Sequence, residues 1–207
     1  ERLDYDNHKA FVRAVAPDYY TTAMTHVKVA VLHEEATDVL QFGGPFGLST
    51  GWGEVDVIEK VVGYKKIKFH THENCGYGDV HLPAVQKPTT AHWVIVPEGL
   101  LRLVDAPRSV LVDALTGLQN AMHAVAAVGL MMDPNDLGRT VVDEPSMGGD
   151  AAHPEVQAIA PKEAKAFEPI LYLYDAVAGG AGLAPRLFEE RITLFERALE
   201  LVADCPC

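Results

Sequence analysis

The strongest restriction on the fold of this chain comes from residues 106–132, which carry apolar side chains at helical spacing. Pro107 suits the first turn of a helix, where a missing amide hydrogen does no harm. The apolar positions that follow cover most of the helix circumference. They are Val110, Leu111, Ala114, Leu115, Leu118, Ala121, Met122, Val125, Val128 and Leu130. We therefore predict a long helix that is buried on more than one side and forms the centre of a hydrophobic core.

The N-terminal part of the chain reads as β structure. Polar and apolar side chains alternate in residues 25–32 and again in residues 51–58, as in strands with one buried face. The glycines and proline of residues 42–47 indicate a tight connection between these strands. Residues 61–69 form a third strand candidate. Together these segments predict a small barrel-like sheet.

Strand and helix patterns alternate through the rest of the chain. Buried strands are predicted at residues 89–97 and 169–175, and an amphipathic helix is predicted at residues 185–203. Residues 143–165 lack a clear period and predict a long loop. The fold class that follows is α+β, in two parts. A small β-barrel-like subdomain at residues 1–75 precedes an α/β domain with the long buried helix at residues 76–207.

The charge of the chain limits how it could contact nucleic acid. A net charge of −12 argues against a coat protein whose surface is basic throughout. Any contact must come from a local patch, and residues 60–72 offer one, with Lys65, Lys66 and Lys68 beside Tyr64. Lysines neutralise phosphates while a ring stacks on a base. The same pattern also fits a solvated edge strand that lysines protect from aggregation.

Cysteine usage and the chain start bear on the cellular context. The sequence has three cysteines and no secretion signal, which favours a reducing compartment and argues against a disulfide framework. No apolar run approaches the roughly 20 residues of a membrane helix. The chain begins without Met and without an apolar signal core. We therefore expect it to be a fragment of a longer gene product.

A glycine-rich turn follows the strand at residues 169–175 and precedes the helix at residues 185–203. This order of elements fits a phosphate-binding loop. However, the turn lacks the Lys-Ser/Thr ending of a P-loop, and its glycines do not match G-x-G-x-x-G. Close packing of strand on helix explains the glycines without a ligand. We expect Asp175 to accept hydrogen bonds from the backbone amides of the turn.

Histidines cluster just after the lysine-rich residues. His70 and His72 would share one face of a strand, a geometry that metal ligands use, and Cys75, Asp79 and His81 follow them. No second ligand motif accompanies the cluster. A solvated or packed set of histidines is the favoured interpretation, and a metal site is the alternative.

Two cysteines stand at the end of the chain. Cys205 and Cys207 flank a proline directly after the predicted helix at residues 185–203. Two such thiolates can form half of a tetrahedral zinc site, which needs four ligands. The two further ligands are not visible nearby, so the pair alone is a weak indication of zinc.

Several short motifs follow one another along nearly the whole chain. They are Tyr19-Tyr-Thr, Gly53-Glu-Val-Asp-Val, Val62-Gly-Tyr-Lys-Lys, Leu82-Pro, Thr89-Thr-Ala-His-Trp, Gly117-Leu-Gln-Asn-Ala, Asp133-Pro-Asn-Asp-Leu-Gly and Leu173-Tyr-Asp-Ala-Val-Ala-Gly-Gly-Ala-Gly-Leu. In this order they resemble the C-terminal region of MrfA-type superfamily 2 DNA helicases, including the MrfA-associated zinc-binding (MZB) domain. The Tyr-Asp-x-x-x-Gly-Gly-x-Gly block before a helix that ends in Cys-x-Cys is the most specific element.

The resemblance implies an accessory role beside a motor. Helicases of this kind use two upstream RecA-like lobes, with ATP and Mg²⁺, to move 3′ to 5′ along single-stranded DNA, and they serve DNA repair. Their C-terminal domain packs against the motor and helps to position the DNA. It also binds structural zinc through four cysteines, of which Cys205 and Cys207 correspond to the first two. In the family a second cysteine pair follows the first, and this sequence ends at Cys207, so we expect the zinc site to be incomplete here.

The resemblance also carries expectations for partners and location. DNA, as a single strand or a fork, is the expected partner, and the expected contacts are Tyr64, Lys65, Lys66 and Lys68. No membrane partner is expected, and the location is the bacterial cytoplasm, in association with the nucleoid. The sequence has no Walker A or B motif, so we expect no ATPase activity from this chain alone.

Two other functions stay open on the sequence alone. The same domain could be a partner-binding scaffold for a separate helicase subunit in an anti-phage defence system. The His70 and His72 pair could instead belong to a small metallohydrolase.

Overall fold

The computed structural model describes residues 2–5, 7–143 and 167–205. The loop predicted at residues 143–165 lies outside these residues from residue 144 onward. The described strands are β1 (Arg2–Asp4), β2 (Lys9–Phe11), β3 (Tyr19–Leu40), β4 (Leu48–Lys68), β5 (Asn74–Asp79), β6 (Val85–Ile95), β7 (Leu137–Val142) and β8 (Ile170–Asp175). The helices are α1 (Glu98–Leu101), α2 (Arg108–Gly129), α3 (Leu183–Glu189) and α4 (Arg191–Ala203), with a 3₁₀ turn at Pro134–Asp136.

The described strands form two sheets, which confirms the mixed α+β class and its barrel-like sheet. One is the hairpin of β1 and β2. In the other, β3, β4, β6, β8 and β7 are neighbours in that order, and β5 pairs with β4. The two segments predicted at residues 51–58 and 61–69 are one continuous strand.

Contacts divide the chain into two units, neither of which is contiguous in sequence. The first unit contains Glu1–Val27 and Ile58–Gln86, and the second contains Lys28–Val57 and Lys87–Cys207. β3 and β4 are 22 and 21 residues long and pass through both units. The single boundary predicted after residue 75 therefore differs from the division by contacts, because short windows of alternation do not reveal strands of this length.

The first unit has almost no buried interior. Arg2 pairs with Phe11 across the β1–β2 hairpin, and Lys65 pairs with Tyr77 across β4 and β5. Among its described residues only Gly63 is buried. A sheet needs a hydrophobic face for independent stability, and here large apolar side chains stay exposed instead. They are Leu3, Tyr5, Phe11, Val12, Val15, Tyr20, Phe69, Tyr77 and Val85.

The hydrophobic core lies in the second unit. β8 pairs antiparallel with β6 on one side and with β7 on the other. Strand side chains such as Val94 and Leu173 pack with Met122 of α2 and Leu194 of α4 in a single cluster. Burying each large side chain of this kind contributes about 1.5–3 kcal/mol. The core thus joins the sheet to the two longest helices.

α2 confirms the long buried helix predicted at residues 106–132. Leu115, Ala121 and Ala127 are all buried and, at about 100° per residue, lie on different sides of the helix. Val110 and Val128 are 51% and 79% exposed. No helix in the described ranges has the length and apolar character needed to cross a membrane.

The predicted C-terminal helix is two helices. α3 ends at Glu189 and α4 begins at Arg191, and Glu190 between them has φ −92° and ψ 12°. β5 and β7 were not predicted, since β5 is rich in glycine and β7 is defined mainly by its pairing with β8.

Candidate functional site

The residues predicted to contact nucleic acid lie on β4 within the first unit. Alternation along the strand places Tyr64 and Lys66 on one face and Lys65 on the other. The register shift between Lys66 and Ile67 places its extra residue, Cys75, on β5, so alternation along β4 continues to Lys68. Lys65 is exposed, while Lys66 and Lys68 are partly buried. Lys65 therefore lies on one face of β4, and Lys66 and Lys68 lie on the other.

On the first face, Lys66 and two tyrosines border a groove. The Lys66 Nζ lies 5.3 Å from the centroid of the Tyr19 ring, within the range of a cation–π contact. The Tyr64 ring covers Gly78, its direct partner on β5. A Cβ at Gly78 would lie 2.3 Å from the ring carbon Cζ of Tyr64, so only glycine permits this packing.

The groove on this face has a volume of about 480 Å³. Tyr19, Tyr64 and Lys66 line it together with small side chains of β3 and two apolar residues that follow β5 in the chain. The further lining residues are Thr21, Ala23, Val61, Gly63, Val80 and Leu82.

The opposite face also combines a cation with rings. Lys65 lies directly across from Tyr77, which is 65% exposed. Tyr20 and Phe69 form an aromatic pair, with ring centroids 5.5 Å apart. Both faces of the first unit thus carry the residue types that bind phosphates and bases.

Charge is distributed very unequally between the two units. The first unit contains seven Lys and Arg and seven Asp and Glu residues, so its formal charge is zero. The second contains 10 basic and 22 acidic residues and accounts for the whole net charge of −12. A polyanion is therefore repelled by the second unit and not by the first.

The structure does not assemble the histidine cluster into a metal site. His70 and His72 are exposed in the connection between β4 and β5, both at positive φ (70° and 56°). Within residues 2–5, 7–143 and 167–205, no group of three or more His, Cys, Asp or Glu side chains is arranged to hold a metal ion.

The cysteine pair is described only in part. Cys205 follows α4 and is exposed, and Cys207 lies outside the described residues. The described residues therefore include one of the four ligands that a tetrahedral zinc site requires. Zinc binding by this pair stays a prediction.

Asp175 accepts hydrogen bonds from the glycine-rich turn, as the sequence predicts. Its Oδ2 accepts from the amides of Ala181 (2.9 Å), Gly182 (3.2 Å) and Leu183 (3.4 Å). The hydroxyl of Thr90 donates to the same oxygen at 2.7 Å, and the Asp175 side chain is fully buried. The amides that could cradle a phosphate are therefore filled by a carboxylate of the chain itself, which argues against nucleotide binding at this turn.

The start of β6 holds the same turn from the other side. The Thr89 hydroxyl lies 2.9 Å from the Asp175 carbonyl oxygen and 2.8 Å from that of Val177. The Lys87 ammonium donates to the Ala176 carbonyl at 3.1 Å. Two of the sequence motifs that carry the family resemblance are thus bonded to each other.

His92 occupies a buried polar position that the sequence reading missed. It is 1% exposed, and its Nδ1 lies 3.0 Å from the Gly51 carbonyl oxygen, to which it donates. Burial lowers the pKa of His92 to about 4, so the ring is neutral near pH 7. Nearby, Arg191 donates to the Phe188 carbonyl at 2.7 Å and pairs with Asp38. An apolar β-strand pattern with one histidine was the only available signal.

Comparison with known proteins gives consistent matches. Residues 118–207 match the sequence model of the MrfA Zn-binding domain family, MZB. All 207 residues align at 32% identity with the ATP-dependent helicase YprA of Bacillus subtilis (strain 168), of which they cover 24%. In a crystal structure of the DUF1998 helicase MrfA bound to DNA, the whole chain aligns with 24% of the protein, at 31% identity and a TM-score of 0.59. A second MrfA crystal structure gives the same coverage and TM-score at 25% identity. The chain spans about a quarter of the length of these relatives.

Proposed function

Because these matches confirm the resemblance to the C-terminal region of MrfA-type helicases, with an MZB match over residues 118–207, we propose that the chain is an accessory domain of an ATP-dependent DNA helicase. The parent protein would move 3′ to 5′ on single-stranded DNA, with ATP and Mg²⁺ bound in RecA-like lobes upstream. Its role would be DNA repair in the bacterial cytoplasm, in association with the nucleoid. The observation that carries this proposal is the alignment of the whole chain with part of a helicase that was crystallised with DNA.

The chain itself would position DNA and hydrolyse nothing. Its sequence has no Walker motif, and the carboxylate of Asp175 fills the amides of its glycine-rich turn. In the first unit, whose formal charge is zero, Lys65, Lys66 and Lys68 concentrate positive charge on one segment, which attracts a phosphate backbone locally. The strongly acidic second unit would keep the strand away from the rest of the domain.

Zinc would have a structural role at the tail. Cys205 and Cys207 would supply the first two thiolates, and two further cysteines would complete the tetrahedron. Such a site adds stability to the chain segments that it joins and takes no part in ATP hydrolysis.

Charge reversal tests the proposed contact. In the full-length helicase we expect Lys65→Glu, Lys66→Glu and Lys68→Glu together to weaken binding to single-stranded DNA and to slow unwinding. Each lost phosphate contact lowers the salt slope of binding by about 0.7, so three contacts lower it by about 2. Fluorescence anisotropy at several salt concentrations measures both quantities.

The matched control reverses three exposed cations of the second unit, Arg102, Arg186 and Arg197, and so changes the net charge equally. Its salt slope should stay at the wild-type value. Equal DNA affinity and unwinding in the lysine variant and the unmodified helicase would contradict the proposal.

A further inference from the structure

The groove beside Tyr19, Tyr64 and Lys66 points to a more specific ligand, and this inference rests on the proposed function. We propose that the groove holds one unstacked base of a single-stranded nucleic acid, with the Lys66 ammonium beside its phosphate. The proposed phosphate contact of Lys65 lies apart from this site, because alternation places Lys65 on the other face of β4, and Lys68 is not among the residues that line the groove.

The shape of the groove suits a flat ring. Thr21 and Ala23 of β3 line it with small side chains, and Val61, Val80 and Leu82 add apolar surface. Its volume of about 480 Å³ lies within the range of about 300–1,000 Å³ that small-molecule sites have. Apolar walls with a single cation match a base and its phosphate. They do not match a duplex, whose bases present no free faces.

The Tyr64 ring packs against Gly78 of β5 at the groove. A Cβ at Gly78 would come within 2.3 Å of the ring carbon Cζ. The glycine therefore leaves room for the ring to lie against the backbone of β5.

Lys66 is placed to read the backbone of the same nucleotide. Its ammonium lies 5.3 Å from the centroid of the Tyr19 ring, and none of the described residues that line the groove is acidic. Residues 60–72 include four lysines, and the nearest acidic residues in sequence are Glu59 and Glu73. Charge complementarity thus favours an anionic occupant over an apolar peptide.

An abasic oligonucleotide separates base binding from phosphate binding. The full-length protein is titrated with oligothymidine and with an abasic oligomer of the same length. Tyr64→Leu should weaken oligothymidine binding about tenfold and leave abasic binding unchanged, because only the stacking contact is lost. Tyr64→Phe should stay close to wild type. Ala23→Phe, which fills the groove and removes no ring, should act like Tyr64→Leu.

The control Tyr77→Leu removes an exposed ring from the opposite face and should preserve the ratio of the two affinities. A fluorescent base analogue in the oligomer should be quenched on binding to wild type and not to Ala23→Phe. The inference is overturned if Tyr64→Leu and Ala23→Phe both keep the wild-type ratio of affinities. Failure of the proposed function is distinguishable, since the triple lysine variant would then bind both oligomers normally.

Discussion

The side chain of Asp175 occupies the position at which the glycine-rich turn could otherwise bind an anion. A glycine-rich turn between a strand and a helix offers backbone amides to an anion, and in this chain the anion is the carboxylate of Asp175. Gly180 in the same turn has φ +80°, and a Cβ there would lie 2.6 Å from the Thr90 hydroxyl. The turn is thus built to close on itself. Its glycines serve the backbone path and the close approach of β6.

Removing this carboxylate should destabilise the domain strongly. We expect Asp175→Ala to lower the free energy of unfolding by about 3 kcal/mol or more, because amides and a hydroxyl lose a charged, buried acceptor. Thr90→Val removes only one of the same bonds and should cost about 1 kcal/mol. Urea unfolding followed by circular dichroism gives both values. Equal losses in the two variants would show that the carboxylate is not the centre of the turn.

His92 makes the stability of the second unit depend on pH. Its pKa is lowered from 6.5 to about 4, first by burial, against the hydrogen bond to Gly51, with Arg191 lowering it further. Below pH 6.5 the unfolded chain takes up a proton that the folded chain does not accept until about pH 4. The contribution of His92 is therefore fully present above pH 6.5 and is lost as the pH falls towards 4. Across this window the loss amounts to about 3 kcal/mol.

Replacing His92 should reduce the loss of stability between pH 6.5 and pH 4. His92→Asn keeps a donor that can face the Gly51 carbonyl and has no titrating group, so its unfolding free energy should change less between pH 6.5 and pH 4 than that of the wild type. Urea titrations at intervals of pH measure the difference, which isolates His92 from the other acidic and basic groups. Parallel pH profiles in the two proteins would contradict the assignment.

At the scale of elements, α2 is tied to the sheet by one amide as well as by its apolar face. The Gln119 Nε2 donates to the Thr140 carbonyl of β7 at 2.6 Å and to the Tyr172 carbonyl of β8 at 2.9 Å. Gln119 is 2% exposed, so both bonds are shielded from water. A polar residue on the buried face thus fixes the position of the helix against two neighbouring strands.

Mutation of Gln119 tests how much its buried amide contributes to the free energy of unfolding. Gln119→Leu keeps the volume and removes both donors, and we expect it to lower the free energy of unfolding by about 2 kcal/mol. The neighbouring Asn120 accepts from Arg139 at the surface, and Asn120→Ala should cost less than about 1 kcal/mol. Thermal and urea unfolding of the two variants test the comparison. A larger loss in Asn120→Ala would refute the role of the buried amide.

Sequence periodicity predicted the elements whose burial is regular and missed those defined by their neighbours. α2 and β8 have continuous apolar patterns, and both were predicted within a few residues. The β5 sequence, NCGYGD, has no such pattern, because its glycines make room for side chains of β4, as Gly78 does for Tyr64. Nothing local marks the break at Glu190 either, since Arg191 turns there to bond with Asp38, far away in sequence.

For the molecule as a whole, composition gave the net charge but not its location. The value of −12 argues against a surface that is basic throughout, yet one of the two contact units has a formal charge of zero. This division was hidden because each unit is assembled from two separate stretches of chain. The lysine-rich residues could be found from the sequence, whereas their pairing with the glycine-rich strand β5 could not.

The passage of β3 and β4 through both units has a consequence for how relatives of this domain can vary. The two strands are neighbours in the sheet, so their length can change by symmetrical insertions or deletions without a new loop. Steps of two residues keep every side chain on its original face, and single steps invert all of them. Among natural relatives, the lengths of these two strands should therefore differ by even numbers of residues, matched between β3 and β4.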